Sequence, residues 1–446
     1  YFFQAVSPDS AMVFDRTGGD VISTAGVGFQ LAALAIGAER GWVSHARAEA
    51  HALKILRALD SAPTNRKAGL FYHFLNPQDA TPRRIGAELT VSTVDSALLF
   101  AGMLTAGQFF GGETQQIANR LFADADWTFF LGSPDPSGAP DGEFLSLGWK
   151  PDRDDDPTGD GKLIPYYWID SGDEHRLVTF LAACAPNPAH RIDPGIYWRL
   201  RRKIGYHEGA GHMVWFPYSG SLFTAFFAHC FIDYAALGTD DPARAGASQR
   251  ARVDWWENSR RTVIMHRDRA IANPQGFPTL GPDAWGLSAC DGPNGYIVPG
   301  LFPTEVEMLG ATPHEDFSTY RPQQDWGGGV VATYAAGASI MFEPELAVRA
   351  LRNYRNLPTP GGEPGVWRGG PPDGWGLADA FTLDERGRVA WSASDFLGID
   401  QGPMLLGIEN ARSGLIWGLF MSHPAVVAGV ERLGLGAPDR GLRPGP

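Results

Sequence analysis

Apolar residues recur along this chain at three-to-four spacing, the pattern of helices that bury one face. Val27, Leu31, Leu34 and Ala35 make one such face, and Ala46 to Leu59 supplies the next after a turn at Gly41-Trp42. Leu98, Leu99, Met103 and Leu104 follow, then Ile117, Leu121 and Trp127, then Leu177, Phe180 and Leu181. Phe223, Phe226, Phe227 and Phe231 keep the period, as do Trp255 to Val263, Val330 to Met341 and Leu346 to Leu351. Leu405 to Phe420 and Val426 to Leu433 close the series.

Between these segments lie Gly/Pro/Asp/Trp-rich stretches at 132–167, 204–219, 272–326 and 356–394. Connections longer than about 15 residues usually carry function. About a dozen helices joined alternately by short and long connections predict an (α/α)6 toroid. In that all-α fold an inner ring of helices is sleeved by an outer ring, and the long loops form a cleft at one end. Gly69 to Leu75 reads as a small β-hairpin. No break in composition calls for a second domain. One domain is therefore expected over 1–434, followed by a disordered Gly/Pro/Arg-rich tail at 435–446. The opening Tyr1-Phe2-Phe3, without a methionine, reads as a fragment of a longer chain.

Composition narrows the partners. With 37 Lys+Arg against 50 Asp+Glu the chain lacks the basic footprint of a nucleic-acid binder. No run approaches the ~18 apolar residues that a membrane span requires. Cys184, Cys230 and Cys290 are widely spaced and read as small apolar core residues rather than a zinc or disulfide framework. The 14 Trp suit either sugar stacking or a large core.

Three motifs fail on their chemistry. His207-Glu208-Gly209-Ala210-Gly211-His212 resembles HExxH with one residue too many, so a helix would turn the second imidazole away from the first. Asp152 to Asp156 opens like a calcium loop but has Pro157 at the sharp turn and Leu163 where a bidentate Glu belongs. The Gly-rich runs near Gly361 and Gly369 lack the strand-to-helix setting of a phosphate loop. No metal and no cofactor is expected.

Carboxylates remain. Glycoside hydrolysis needs one protonated acid for the leaving oxygen and one carboxylate to activate water or attack carbon. Asp400, in Gly398-Ile399-Asp400-Gln401-Gly402-Pro403, sits in a Gly-flanked turn before an apolar helix, Met404 to Met421. Glu174 opens the helix after Trp168, but Ser171…Glu174 also spells a capping box. Asp95 lies within an apolar helical pattern, where a carboxylate needs a partner or a cavity. Asp379 reads the same way, whereas Glu409 reads as part of a buried hydrogen-bond network. Trp285, Trp326 and Asp325 lie beside glycines on loops, a setting for either a stacking platform or a loop anchor.

Taken in order, these segments resemble the glucoamylase-like family of bacterial endo-β-1,2-glucanases, glycoside hydrolase family 144 and its relatives. The resemblance runs from Phe14-Asp15-Arg16 through Ser23 to Phe29, Ile36 to Trp42, Phe71-Tyr72-His73-Phe74-Leu75 and Ser92 to Gly102. It continues through Gly148 to Pro151, Glu257-Asn258-Ser259, Trp285 to Pro293, Asp379-Ala380-Phe381 and Gly398 to Asn410. It implies an (α/α)6 barrel and an inverting hydrolase, with Glu174 as acid, Asp173 one residue away as the alternative, and Asp400 as base with Asp379 as fallback. Asp95, Trp285, Asp325, Trp326, Asp379 and His229 would meet an oligo- or polysaccharide, in the periplasm or outside the cell. The chain departs from the family where Gly172-Asp173-Glu174-His175-Arg176 replaces Y-S-E-A-M, and where Ala225 to His229 and Asp233-Tyr234-Ala235 replace H-Q-Y-S-H and D-F-R. Those losses of polar groups leave open a different linkage or exo-action. A polysaccharide lyase and a non-catalytic glycan binder are the rival readings.

Overall fold

Two kinds of helix follow from the apolar pattern. The computed structural model describes residues 1–134, 143–216, 219–307, 324–370 and 374–436. In chain order its helices are α1 (Thr24–Glu39), α2 (His45–Ser61), α3 (Thr93–Phe110), α4 (Gly112–Asp124), α5 (Asp173–Cys184), α6 (Gly195–Arg199) and α7 (Tyr234–Leu237). Then come α8 (Trp255–Ala272), α9 (Thr333–Ala338), α10 (Pro344–Asn356), α11 (Gly398–Ser413), α12 (Leu415–Met421) and α13 (Pro424–Leu433). Helix α1 is buried at every position from Thr24 to Gly37, and α3 is buried on nearly all sides. A helix that is apolar all round belongs inside. By contrast α2 buries only Ala48, Ala52, Ile55, Leu56 and Leu59, and α10 only Ala347, Ala350 and Tyr354. These are one-faced outer helices.

The buried helices touch one another in a closed order. Helix α1 packs on α3, α3 on α5, and α5 on the short turn Ala228–Cys230, which meets α11; α11 returns to α1 and also holds α9. Outside them, α2 leans on α1, α4 on α3, α13 on α5 and α10 on α9. The α1–α3 crossing is backbone against backbone. A Cβ on Gly28 would stand 2.3 Å from the carbonyl oxygen of Leu98, and one on Gly102 would stand 1.9 Å from that of Gly28. Only glycine permits that approach.

Several buried helices begin at a short extended pair. Ile22–Ser23 pairs with Phe74–Leu75 before α1, Val91–Ser92 with Gly148 and Trp149 before α3, and Val331–Ala332 with Ala380 and Phe381 before α9. The pairs tie those helix N-termini to the long loops.

Local departures from the sequence pattern have local causes. Gly414, in left-handed conformation at φ 68°, splits the predicted Leu405 to Phe420 helix into α11 and α12, and α11 starts at Gly398, so Asp400 lies inside its first turn. The Phe223 to Phe231 segment forms two 3₁₀ turns, Leu222–Ala225 and Ala228–Cys230. The hairpin is Arg66–Lys67 against Leu70–Phe71, with Phe74–Leu75 paired elsewhere. His207 to His212 closes a β-hairpin, Ile204–His207 with Gly211–Val214, and is not helical. All three cysteines are buried and unpaired. Of the expected tail, residues 437–446 lie outside the described residues.

Candidate active site

Asp95, Asp173, Glu174 and Asp400 all stand in the first turns of buried helices. Ser92 caps α3 by accepting the Asp95 N–H at 3.3 Å, which puts Asp95 at the helix mouth rather than mid-helix as the pattern suggests. Helix α5 begins at Asp173 with Gly172 as its cap. The Ser171 hydroxyl donates instead to the Arg201 carbonyl at 2.7 Å, so the capping box does not form and Glu174 is left uncommitted. Its neighbour Asp173 turns inward, accepting from Arg176 and from the Ala228 N–H, while Arg176 lies 3.7 Å over the Trp255 ring. Glu174 is half-buried, and among the described residues it has no hydrogen bond or ion pair. Burial, then the charges of Asp95 and Asp173, lift its carboxyl to about 8.

Asp95 has a cationic neighbour. His73 Nε2 lies 3.5 Å from Asp95 Oδ1 and His73 Nδ1 lies 2.7 Å from Glu88. Burial, the largest single influence, disfavours the imidazolium, but Asp95, Glu88 and Asp15 together raise it to about 9. Asp15 connects this end to the next, because its carbonyl accepts the Gly398 N–H at 2.9 Å at the head of α11. Burial raises the Asp15 carboxyl, Arg16 and His73 work against that, and Asp95 and Asp291 add to it.

At the far end Asp379 and Asp400 are 0% and 1% exposed, and their carboxyls come within hydrogen-bonding reach of each other. Asp379 Oδ2 also accepts the Asp291 N–H at 2.8 Å, and Arg16 Nη1 holds Asp291 at 3.2 Å. Burial raises Asp379 to about 6; burial and then the Asp379 charge push Asp400 well above the carboxylate range. Tyr296, on the hairpin Cys290–Gly292 with Gly295–Ile297, is 50% exposed, yet burial and the charges of Asp400 and Asp379 raise its phenol.

Not every candidate joins this line of acids. Trp285 is 0% exposed and its backbone is clasped by the Tyr354 hydroxyl, so it is a core anchor. Gly286, at φ 106°, makes the turn that tucks the indole inward. Trp326 is likewise buried, and Asp325 is a turn residue whose Oδ1 accepts the Gly327 N–H at 2.8 Å. His229 is sealed in the core, with Nε2 3.0 Å from Ser259 Oγ and its ring against Tyr234 and Phe342. Glu409 forms the expected buried network, taking Arg40 and the Ser413 hydroxyl. Sequence reasoning passed over Asp15, His73, Asp291 and Tyr296 as site residues. A lone histidine amid Phe71, Tyr72, Phe74 and Leu75 was the available signal.

The Glycoamylase family model, described as "Putative glucoamylase", matches residues 165–424. The chain belongs to that family. The matched stretch of this glucoamylase-family chain contains Glu174, Asp379 and Asp400. A curated relative, the exo beta-1,2-glucooligosaccharide sophorohydrolase (non-reducing end) of Parabacteroides distasonis, is 26% identical over 471 residues. That match covers 97% of this chain and 56% of the relative, so the chain spans about half of the relative's length. A solved "putative glucoamylase" from Bacteroides uniformis shares 27% identity at TM-score 0.74, covering 98% of this chain and 95% of that one. The endo-beta-1,2-glucanase of Chitinophaga pinensis, solved with sophorotriose and glucose, has the same fold at TM-score 0.71 and 24% identity, covering 98% and 96%.

Proposed function

We propose that this chain is an anomer-inverting glycoside hydrolase of β-1,2-linked glucan, built as an (α/α)6 toroid over 1–434. The observation that carries the reading is Glu174, a half-buried carboxyl without a hydrogen-bond or ion-pair partner among the described residues at the head of α5, which burial and the charges of Asp95 and Asp173 lift to about 8. It belongs to the same line of carboxylates as the buried pair Asp379 and Asp400. A general acid needs a raised pKa and no competing partner, and Glu174 has both. The names of the relatives, which act on β-1,2-glucan or its oligosaccharides, supply the linkage.

In this reading Glu174 gives its proton to the glycosidic oxygen, and Asp400, with Asp379 beside it, takes a proton from the attacking water. Inverting pairs stand roughly 6.5–9.5 Å apart to admit that water. Asp95 and Asp379 would hold sugar hydroxyls, and Tyr296 offers the stacking ring that the buried tryptophans do not. The reaction so written uses no cofactor. An acidic site on a chain of net charge −13 repels phosphates, in keeping with a neutral sugar rather than nucleic acid. Periplasmic or secreted placement goes with a polymeric substrate. No helix among the described residues is long and apolar enough to cross a membrane.

The test is hydrolysis of linear β-1,2-glucan against a panel of other glucans, with Glu174→Gln and Asp400→Asn beside the native chain. A loss of about 10²–10⁴-fold in kcat is expected for Glu174→Gln, which removes the acid outright, and a clear loss for Asp400→Asn. Near-native activity in both variants would sink the assignment. The relatives carry both exo and endo names, so product lengths are followed over time. Sophorose alone from the first minutes means exo-action; a falling ladder of oligosaccharides means endo-action.

A further inference from the structure

Two buried carboxyls cannot hydrogen-bond to each other unless one of them carries a proton. Asp379 and Asp400 stand within hydrogen-bonding reach of each other at full burial. Asp379 Oδ1 and Asp400 Oδ2 are each buried without a donor from any other described group. The remaining Asp379 oxygen is occupied by the Asp291 N–H, and the neighbouring Tyr334 hydroxyl gives its proton to the Ala289 carbonyl at 2.8 Å. A single proton held between the two carboxyls supplies the donor both lack.

We propose that Asp379 and Asp400 form a proton-sharing dyad carrying one negative charge, and that the dyad as a unit, rather than either aspartate alone, is the base of this enzyme. This rests on the hydrolase reading and deepens it. The surroundings favour a single charge. Asp15, Asp291 and Asp395 bring negative charge nearby, and Arg16 is the cation facing them, paired to Asp291 at 3.2 Å and to Asp395 at 3.6 Å. Cys290, Tyr296 and Tyr334 are neutral neighbours whose own ionisation burial suppresses. One guanidinium already committed to two other carboxylates cannot compensate a second charge on the pair.

The step balances. Water oxygen bonds to the anomeric carbon as the glycosidic C–O bond breaks, and the leaving oxygen takes the Glu174 proton. The water's proton enters the dyad, making both carboxyls neutral. Exchange with solvent then moves one proton off the dyad and one back to Glu174.

A lone base and a dyad differ under substitution. Asp379→Asn and Asp400→Asn each leave one carboxylate with an amide as its hydrogen-bond donor. The dyad predicts that each single variant keeps measurable turnover, reduced about 10- to 100-fold, with the acidic limb of the pH–rate profile moved to lower pH. Asp379→Asn/Asp400→Asn then loses at least a further 100-fold. One single variant near native with the other as dead as the double would overturn the dyad. The second measurement needs no substrate, and so separates failure of the dyad from failure of the hydrolase reading. Infrared difference spectra at pH 7, taken on the Glu174→Gln background so that the Glu174 carboxyl does not contribute, should show a protonated carboxylic C=O band that disappears in Asp400→Asn; a band unchanged on adding either Asp379→Asn or Asp400→Asn would overturn the proposal.

Discussion

Glu174→Gln should stabilise the protein while disabling it. The carboxyl rises from 4.5 in the unfolded chain to about 8 in the fold. A raised carboxyl means that the folded state holds the proton more tightly, so the native residue costs stability as pH rises above the unfolded value. At about 1.36 kcal/mol per pH unit, the cost reaches about 3 kcal/mol at pH 7 and about 5 kcal/mol well above pH 8. Glu174 is only half-buried, and water at the carboxyl reduces the pH 7 figure to roughly 1–2 kcal/mol. Glutamine has the shape of the protonated acid and never ionises. Native chain and variant are compared by urea unfolding and calorimetry at pH 4, 7 and 8.5. At pH 4 the two should coincide, since both states of the native residue are protonated there. At pH 7 the variant should lead by about 1–2 kcal/mol, a Tm gain of roughly 1–2 °C for a chain of this size, and by more at pH 8.5. A variant that gains nothing between pH 4 and 8.5 would show that Glu174 ionises normally, and the case for a preformed general acid would fail.

Glu409→Gln should behave in the opposite sense. The bonds from Arg40 and Ser413 outweigh burial and hold this carboxyl below its ordinary value. Its stabilisation is therefore present above about pH 4.5 and fades on acidification, so urea midpoints of variant and native should differ at pH 7 and converge in acid. Asp95→Asn removes a negative charge that keeps Glu174 protonated, and the alkaline limb of kcat/KM should move to lower pH; an unmoved limb would show that Asp95 does not act on the acid. Gly102→Ala drives a methyl into the backbone of α1 and should cost about 1–3 kcal/mol or more in urea unfolding. Trp285→Phe should lower Tm with KM unchanged, and a raised KM would return Trp285 to the substrate surface.

Much of the helical scaffold was legible because α1 and α3 are apolar on all sides and α2 and α10 on one. The line of acids was legible only in part. Asp95 and Asp400 were misplaced along their helices because Ser92 and Leu397, not the visible glycines or apolar run, start those helices. Whether Ser171 caps α5 depended on the Arg201 carbonyl, 30 residues away in sequence. Asp15 reaches α11 through pairing of Arg16 with Leu397, a contact no local pattern encodes. The tryptophans erred for a different reason: a glycine beside an indole announces a sharp turn but not which side of it faces water.

The crossing of α1 and α3 at Gly28 and Gly102 leaves no side chain between the two backbones to give way. Helix α1 is also the member against which α11 packs. The helix ends that carry Asp95 and Asp400 are thus referenced to one stiff spar. Chemistry and substrate choice become separable modules. Loops can lengthen, shorten or trade polar groups for apolar ones without moving the acids. A scaffold of this kind can pass from cutting chains internally to trimming their ends and keep the same proton inventory.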